Sequence, residues 1–284
     1  MHGLDVRCTS GLVPIAVSHR FSQTMSLCDS VGAEPCVKAR STMPVLVVPG
    51  GFTRPSSFAR LAERLNAVVV TLRRRRIAQL DLGGLTSLAK SLDAAITATP
   101  DDGTPLVLVG HSMGGLLTYR ASLTHRLDGQ VLLMPAPPRG LASDIAGLVA
   151  RDPVSALKLA ALSVSALPAR VGRMKPPSGL FTMDATAQVI QESRVHRADE
   201  SFTALLQLIV GSREPVQKAL IPTLVVGATQ DGLVPPPRVR QLAEQLGADH
   251  LELDVAHNFA EEPAGVVVDD AVEKWLRARS LLAT

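Results

Sequence analysis

The chain has 284 residues, of which 46% are hydrophobic and 3% aromatic, and a formal net charge of +3. That length and apolar content suit one large domain or two small ones, with an aliphatic core of Val, Leu, Ala and Ile that fits a parallel sheet between helices. The small charge, with no interleaving of aromatic and basic residues, argues against a nucleic-acid partner. The longest apolar run, Ala156 to Leu167, is too short to span a bilayer and carries Lys158.

Residues 1–42 hold six serines, three threonines, three acidic residues and all three cysteines, Cys8, Cys28 and Cys36. An odd number of cysteines confined to one end is no disulfide framework, and no Cys/His spacing suits zinc, so neither a metal nor a redox role is assigned. The segment reads as an N-terminal extension, either poorly ordered or transit-like, with the domain starting near Met43. It is Ser-rich but poorer in Arg than a transit peptide, and Leu12 to Val17 is the best candidate for a degraded leading strand. With no secretory pattern, the expected location is the cytoplasm, and organelle targeting by residues 1–42 is the alternative.

From residue 43 onward, short apolar runs alternate with segments of helical period. The runs are Val45–Val48, Val68–Thr71, Leu106–Val109, Val131–Met134, Thr223–Val226 and Leu251–Leu253. Between the first four lie Phe58–Leu65, Leu85–Ile96 and Leu116–His125, whose apolar residues recur at three and four spacing. Strand alternating with helix predicts an α/β fold with a mostly parallel, doubly wound sheet. After the fourth strand the alternation stops. Residues 136–213 are rich in Ala and Leu with scattered prolines, and read as a helical cap inserted between two parts of the core, 43–135 and 214–284. An insertion there falls above the carboxyl edge of the sheet, where doubly wound folds bind ligands.

The most informative motif is Gly110-His-Ser112-Met-Gly114-Gly, which directly follows an apolar strand. A serine on a sharp strand-to-helix turn needs small neighbours two residues to either side, because side chains there would meet the adjoining elements. A serine hydroxyl is a weak nucleophile at neutral pH. It needs a histidine to take its proton and a carboxylate to fix that histidine's tautomer. Asp231 lies in the loop leaving the strand at 223–226, and His257 lies in the loop after the last strand, before a closing helix at Val266–Leu276. Both are expected at the same sheet edge as Ser112. Asp254 and Asp249 are rival acids, but Asp254 stands only three residues before His257, which suits the geometry poorly. His125, His196 and His250 fall in helical or strand-entry positions away from that edge, His2 and His19 lie in the extension, and His111 is read as packing. The run Arg73–Arg76 reads first as a solvated loop, and second as a source of one arginine for a substrate carboxylate or phosphate.

Four motifs in this order resemble the α/β-hydrolase fold superfamily over about residues 43–280. They are Pro49-Gly-Gly-Phe52 after the first strand, the Gly-His-Ser-Met-Gly-Gly elbow, the Gly-x-x-x-Asp231-x-x-Val-Pro loop and Ala-His257-Asn-Phe-x-x-Glu-Pro. Where such enzymes usually have His-Gly after the first core strand, this chain has Pro49 in place of the histidine, and keeps the glycines. The resemblance implies a Ser112–His257–Asp231 triad and an oxyanion hole formed by the Met113 amide and an amide near Gly51 or Phe52, with Gly51 aligning better. It implies a cofactor-free serine hydrolase that cleaves carboxylic esters of small to medium apolar substrates through an acyl-enzyme. The cap residues Met174, Phe181 and Met183 are expected near an apolar pocket. The superfamily also hosts thioesterases, acyltransferases, lyases and catalytically silent ligand-binding proteins, which remain the alternatives because fold does not choose among them. Dehalogenases and epoxide hydrolases are disfavoured, since they place Asp where Ser112 stands. The expected partner is a small ester-like molecule, and the sequence leaves the oligomeric state open.

Overall fold

The computed structural model describes residues 45–72, 76–77, 80–81, 83–100, 103–162, 176–194 and 200–282. The N-terminal extension, Met174, His196 and Arg73–Arg75 lie outside the described residues. Six strands, β1 (Val45–Val48), β2 (Val68–Val69), β5 (Val107–His111), β6 (Gly129–Leu133), β7 (Thr223–Ala228) and β8 (Asp249–Leu253), form one sheet in the order β2-β1-β5-β6-β7-β8. Every neighbouring pair in it is parallel. A separate antiparallel pair joins β3 (Arg76–Ile77) to β4 (Leu80–Asp81).

The four inner strands are buried along their whole length because both faces of the sheet are covered. On one face Leu46, Val48, Leu108, Leu132 and Val225 pack with Leu88 and Leu92 of α2 (Gly84–Thr97), Leu116 and Leu117 of α3 (Met113–Ser122) and Val239 and Leu242 of α8 (Pro236–Leu246). On the other, the alternate residues Val45, Val47, Val107, Val109 and Val131 pack with Leu61 and Leu65 of α1 (Ala59–Leu65) and with Val268, Val272 and Leu276 of α9 (Val266–Ala278). Period-two alternation thus separates two cores rather than core from solvent.

Two helical boundaries differ from the sequence expectation. α3 starts at Met113 rather than Leu116, because Gly114 and Gly115, weak helix formers, are admitted for their small size at a crowded point. Val234-Pro-Pro reads in the sequence as a turn. Pro236 instead opens α8, since the first helical position needs no amide hydrogen and proline's fixed φ is already helical. Between β6 and β7 the described regular elements are all helices, α4 (Ala142–Arg151), α5 (Pro153–Leu162), α6 (Ala187–Ser193) and α7 (Phe202–Val210). No described helix is long and apolar enough to cross a membrane.

Because the strands are parallel, the loops after β1, β5, β7 and β8 all emerge at one edge. Those loops carry Gly51, Ser112, Asp231 and His257.

Candidate active site

Ser112 lies between β5 and α3 with φ 52° and ψ −117°, a conformation that L side chains rarely adopt. Three backbone bonds hold it there. Its N–H donates to Leu133 O at 2.9 Å, and its carbonyl accepts from Ala136 N at 3.0 Å and Leu116 N at 3.2 Å. The flanking glycines are dictated by close approach: a Cβ on Gly110 would run into Thr118 Oγ1 and the Gly114 carbonyl, and one on Gly114 would meet the carbonyls of Val48 and Pro49. The elbow is therefore wedged against the end of β1, beside the loop that carries Gly51.

The structure brings the three predicted side chains together. His257 Nδ1 lies 2.7 Å from Asp231 Oδ2, and His257 Nε2 lies 3.0 Å from Ser112 Oγ. With Nδ1–H donating to the carboxylate, Nε2 is left to accept the serine hydroxyl proton. Asp231 is fixed from its other oxygen, where Oδ1 accepts from Leu233 N at 2.7 Å and Val234 N at 2.9 Å. The rival acids are engaged elsewhere. Asp254 accepts from Gln230 Nε2 at 2.9 Å and Thr229 Oγ1 at 2.7 Å, hydrogen bonds that hold its carboxyl below the usual range, and Asp249 accepts from Trp275 Nε1 at 2.9 Å.

His111, read from the sequence as packing, does more than fill space. It is buried between Phe58, Phe259 and the His257 ring, whose centroid is 5.0 Å from its own. Its Nε2–H donates to the His257 carbonyl at 2.9 Å, while Nδ1 has no hydrogen-bond partner among the described residues. Burial, reinforced by the neighbouring His257, pushes its pKa down to about 3, so the ring is neutral and its tautomer is set by the His257 carbonyl.

A stretch without regular secondary structure supplies further support that the sequence did not reveal. The Gly179 carbonyl accepts from both Gly232 N at 3.2 Å and His257 N at 3.3 Å, and the Leu180 carbonyl accepts from Asn258 N at 2.9 Å. Gly179 has φ 74°, and a side chain there would collide with Gly232 N, so glycine is required. Downstream, Thr182 Oγ1 donates to Glu262 Oε2 at 2.5 Å and Thr182 N lies 3.2 Å from each of that carboxylate's oxygens. Burial raises the Glu262 pKa, and the Thr182 bonds offset part of that rise. Upstream, Ser178 Oγ donates to Asp152 at the start of α5, at 2.6 Å. This bond, with those from Ser155, holds the Asp152 carboxyl down at about 2.

At the loop after β1 the two candidate oxyanion amides differ. Phe52, at φ 61°, donates its N–H to Glu200 Oε2 at 3.2 Å, whereas the N–H groups of Gly51 and Met113 have no acceptor among the described residues. A cavity of about 230 Å³ opens from Ser112, Met113, Gly51 and His257 and runs between α4 and α7, where Leu141, Ile145, Leu148, Leu205, Leu208 and Ile209 line it. Phe181 is buried outside the lining and Met183 is 91% exposed, so the apolar wall comes from α4 and α7 instead of those residues. Arg76 falls in β3, and the rest of the arginine run is outside the described residues.

Residues 45–270 match the model of the Alpha/beta hydrolase family, and the chain belongs to that family. No curated protein matches the sequence. Among solved structures, the chain is similar to the enol-lactonase from Burkholderia xenovorans LB400, with TM-score 0.57 and 19% identity over 84% of this chain and 92% of that one. It is similar to MenH from S. aureus, with TM-score 0.59 and 12% identity over 84% of this chain and 94% of that one. It is also similar to a thermophilic esterase, with TM-score 0.59 and 17% identity over 84% of this chain and 91% of that one. At such identities the likeness is one of fold.

Proposed function

We propose that the protein is a serine hydrolase that cleaves carboxylic esters of small to medium apolar substrates. The observation that carries this reading is the unbroken relay from Asp231 through His257 to Ser112 Oγ, at 2.7 and 3.0 Å, opening on an apolar cavity. His257 Nε2 takes the proton as Ser112 Oγ attacks the ester carbonyl carbon, and Asp231 stabilises the resulting imidazolium. The negative charge that builds on the carbonyl oxygen is met by the N–H groups of Met113 and Gly51, each donor typically worth about 3 kcal/mol of barrier. Collapse of the tetrahedral adduct expels the alkoxide, which His257 protonates, leaving an acyl-Ser112. Water, deprotonated by the same histidine, then attacks the acyl carbon; the adduct breaks the acyl–Oγ bond, Ser112 Oγ recovers the proton from His257, and the carboxylic acid is released. The helices of residues 136–213 act as the cap, and their leucines and isoleucines set the acyl preference. Two neighbours of the same fold, an enol-lactonase and a thermophilic esterase, lend support, since both names describe acyl–oxygen cleavage.

The test is labelling with a fluorophosphonate probe beside Ser112→Ala, followed by p-nitrophenyl esters of rising chain length. Wild-type labelling that the variant lacks, with hydrolysis peaking at short to medium chains, is the expected outcome. A folded wild type that neither labels nor turns over any ester points to a silent ligand-binding protein.

A further inference from the structure

Glu200 is 8% exposed and stands immediately before α7, with its carboxylate divided between two elements. Oε1 accepts from Ser201 N at 2.9 Å, at the N-terminus of α7, and Oε2 accepts from Phe52 N at 3.2 Å, in the loop after β1. The same Oε2 lies 3.4 Å from where a Gly51 Cβ would be, so it faces the backbone on both sides of the Gly51–Phe52 peptide bond. α7 itself is anchored independently of this contact. Ser201 Oγ accepts from Ala204 N at 3.2 Å, Gln207 Oε1 accepts from Leu85 N at 2.7 Å, and the Leu208 carbonyl accepts from Leu141 N at 3.1 Å.

We propose that Glu200 is a positioning residue for the oxyanion hole: it pins the Phe52 peptide so that the preceding amide, Gly51 N–H, points beside Met113 N–H at the oxygen of the scissile carbonyl. The inference rests on Ser112 being the acylating nucleophile. The segment Pro49-Gly-Gly-Phe52 needs such a pin. Two successive glycines make its backbone soft, and Phe52 is held in the left-handed region, which a phenylalanine does not choose unaided. Oxyanion stabilisation tolerates little misplacement of the donor, and a carboxylate is the strongest acceptor the protein can set against an amide. The Ser201 N–H at the positive end of α7 compensates part of the carboxylate charge, which by itself would oppose an oxyanion nearby. Because the pin is carried by the residue that leads into α7 and the pinned loop follows β1, completion of the oxyanion hole depends on α7 being seated against the core.

Glu200→Ala and Glu200→Gln, measured beside wild type and Ser112→Ala, test this. Two readouts are needed: kcat and KM on a p-nitrophenyl ester, and affinity for an alkyl trifluoromethyl ketone, whose serine adduct carries a full oxyanion. Loss of a whole oxyanion donor costs about 100- to 1,000-fold, so a loosened donor in Glu200→Ala is expected to lower kcat by about 10- to 100-fold and weaken the ketone by a similar factor, with KM changed by less than about threefold. Glu200→Gln keeps an acceptor for Phe52 N–H and is expected to stay within about fivefold of wild type. An unchanged or higher kcat in Glu200→Ala overturns the proposal, as does a kcat loss without weaker ketone binding. Equal impairment of both variants with a lowered Tm overturns it too, in favour of a packing role. If Ser112→Ala keeps wild-type labelling and turnover, the nucleophile reading itself has failed and this inference falls with it. Loss of function in Ser112→Ala alongside wild-type behaviour in Glu200→Ala removes only the inference.

Discussion

At the elbow around Ser112 the backbone itself is the constraint, whereas along Ser178–Thr182 the constraint is a set of hydrogen bonds to loops far away in sequence. The elbow is held by strand pairing on one side, a helix on the other and glycines that admit no side chain. The Ser178–Thr182 stretch has no strand or helix of its own; apart from Gly179, which admits no side chain either, it is held by reaching Gly232, His257, Asn258 and Glu262 through carbonyls, one hydroxyl and one amide. Both regions hold parts of the same site. The difference teaches that a position enforced by sterics on a strand-to-helix turn leaves a short motif in the sequence, while a position enforced mainly by polar contacts between distant segments leaves ordinary residues and, here, one isolated glycine.

The sharpest way to break the contrast is Gly114→Ala. Its Cβ would meet the Val48 carbonyl, backbone that cannot swing aside, so the variant should lose about 3 kcal/mol or more of stability and nearly all fluorophosphonate labelling. Urea unfolding reads the first and the probe reads the second. A variant that keeps wild-type stability would show the elbow to be far softer than its contacts imply.

His111 sits between the two regimes, part of the elbow by sequence and a hydrogen-bond partner of the His257 loop in space. Replacing it with Leu leaves the buried His257 carbonyl without its donor, a loss of about 1–3 kcal/mol in stability by urea unfolding. The pH dependence is more specific. The folded ring, with its pKa lowered to about 3 from 6.5, stays neutral where the unfolded chain takes up a proton. Stability contributed here is fully present above 6.5 and falls as the pH drops toward 3, by up to about 1.4 kcal/mol per pH unit for one proton. The buried carboxyls of Glu262 and Asp269, whose pKa values are raised by burial, act in the opposite sense near their own lower range. The slope is therefore best read just below pH 6.5, by Tm. His111→Leu and His111→Gln should both flatten it, and only Gln should keep part of the hydrogen bond.

The mildest change sharpens the other side of the comparison. Thr182→Val removes one hydroxyl from Glu262 and leaves the backbone bonds in place, which should cost about 1 kcal/mol in stability and raise the Glu262 pKa further. An effect as large as that of Gly114→Ala would mean that Ser178–Thr182 is held by this one contact rather than by the whole set.

What was legible followed the same division. The inner strands announced themselves as apolar runs because each is buried on both faces, and Ser112, Asp231 and His257 each stand just past a strand. Residues of the proposed cap are harder to read. The Ala- and Leu-rich composition of 136–213 is enough to foresee a helical insertion, but only packing shows that Ile145 and Leu208 line the cavity while Met183 is left to solvent. Glu200 and Phe52 are 148 positions apart, and Thr182 and Glu262 are 80 apart, so neither contact leaves a period or motif to detect. α8 was hidden for a different reason, since two prolines that end many helices here begin one.

The Gly179 carbonyl accepts from both Gly232 and His257, so the acid loop and the histidine loop are referenced to a single oxygen atom. Any drift of that oxygen carries Asp231 and His257 along together and leaves the spacing between them intact. A shift of that oxygen would then be felt at the 3.0 Å contact between His257 and Ser112, across which the proposed proton transfer runs.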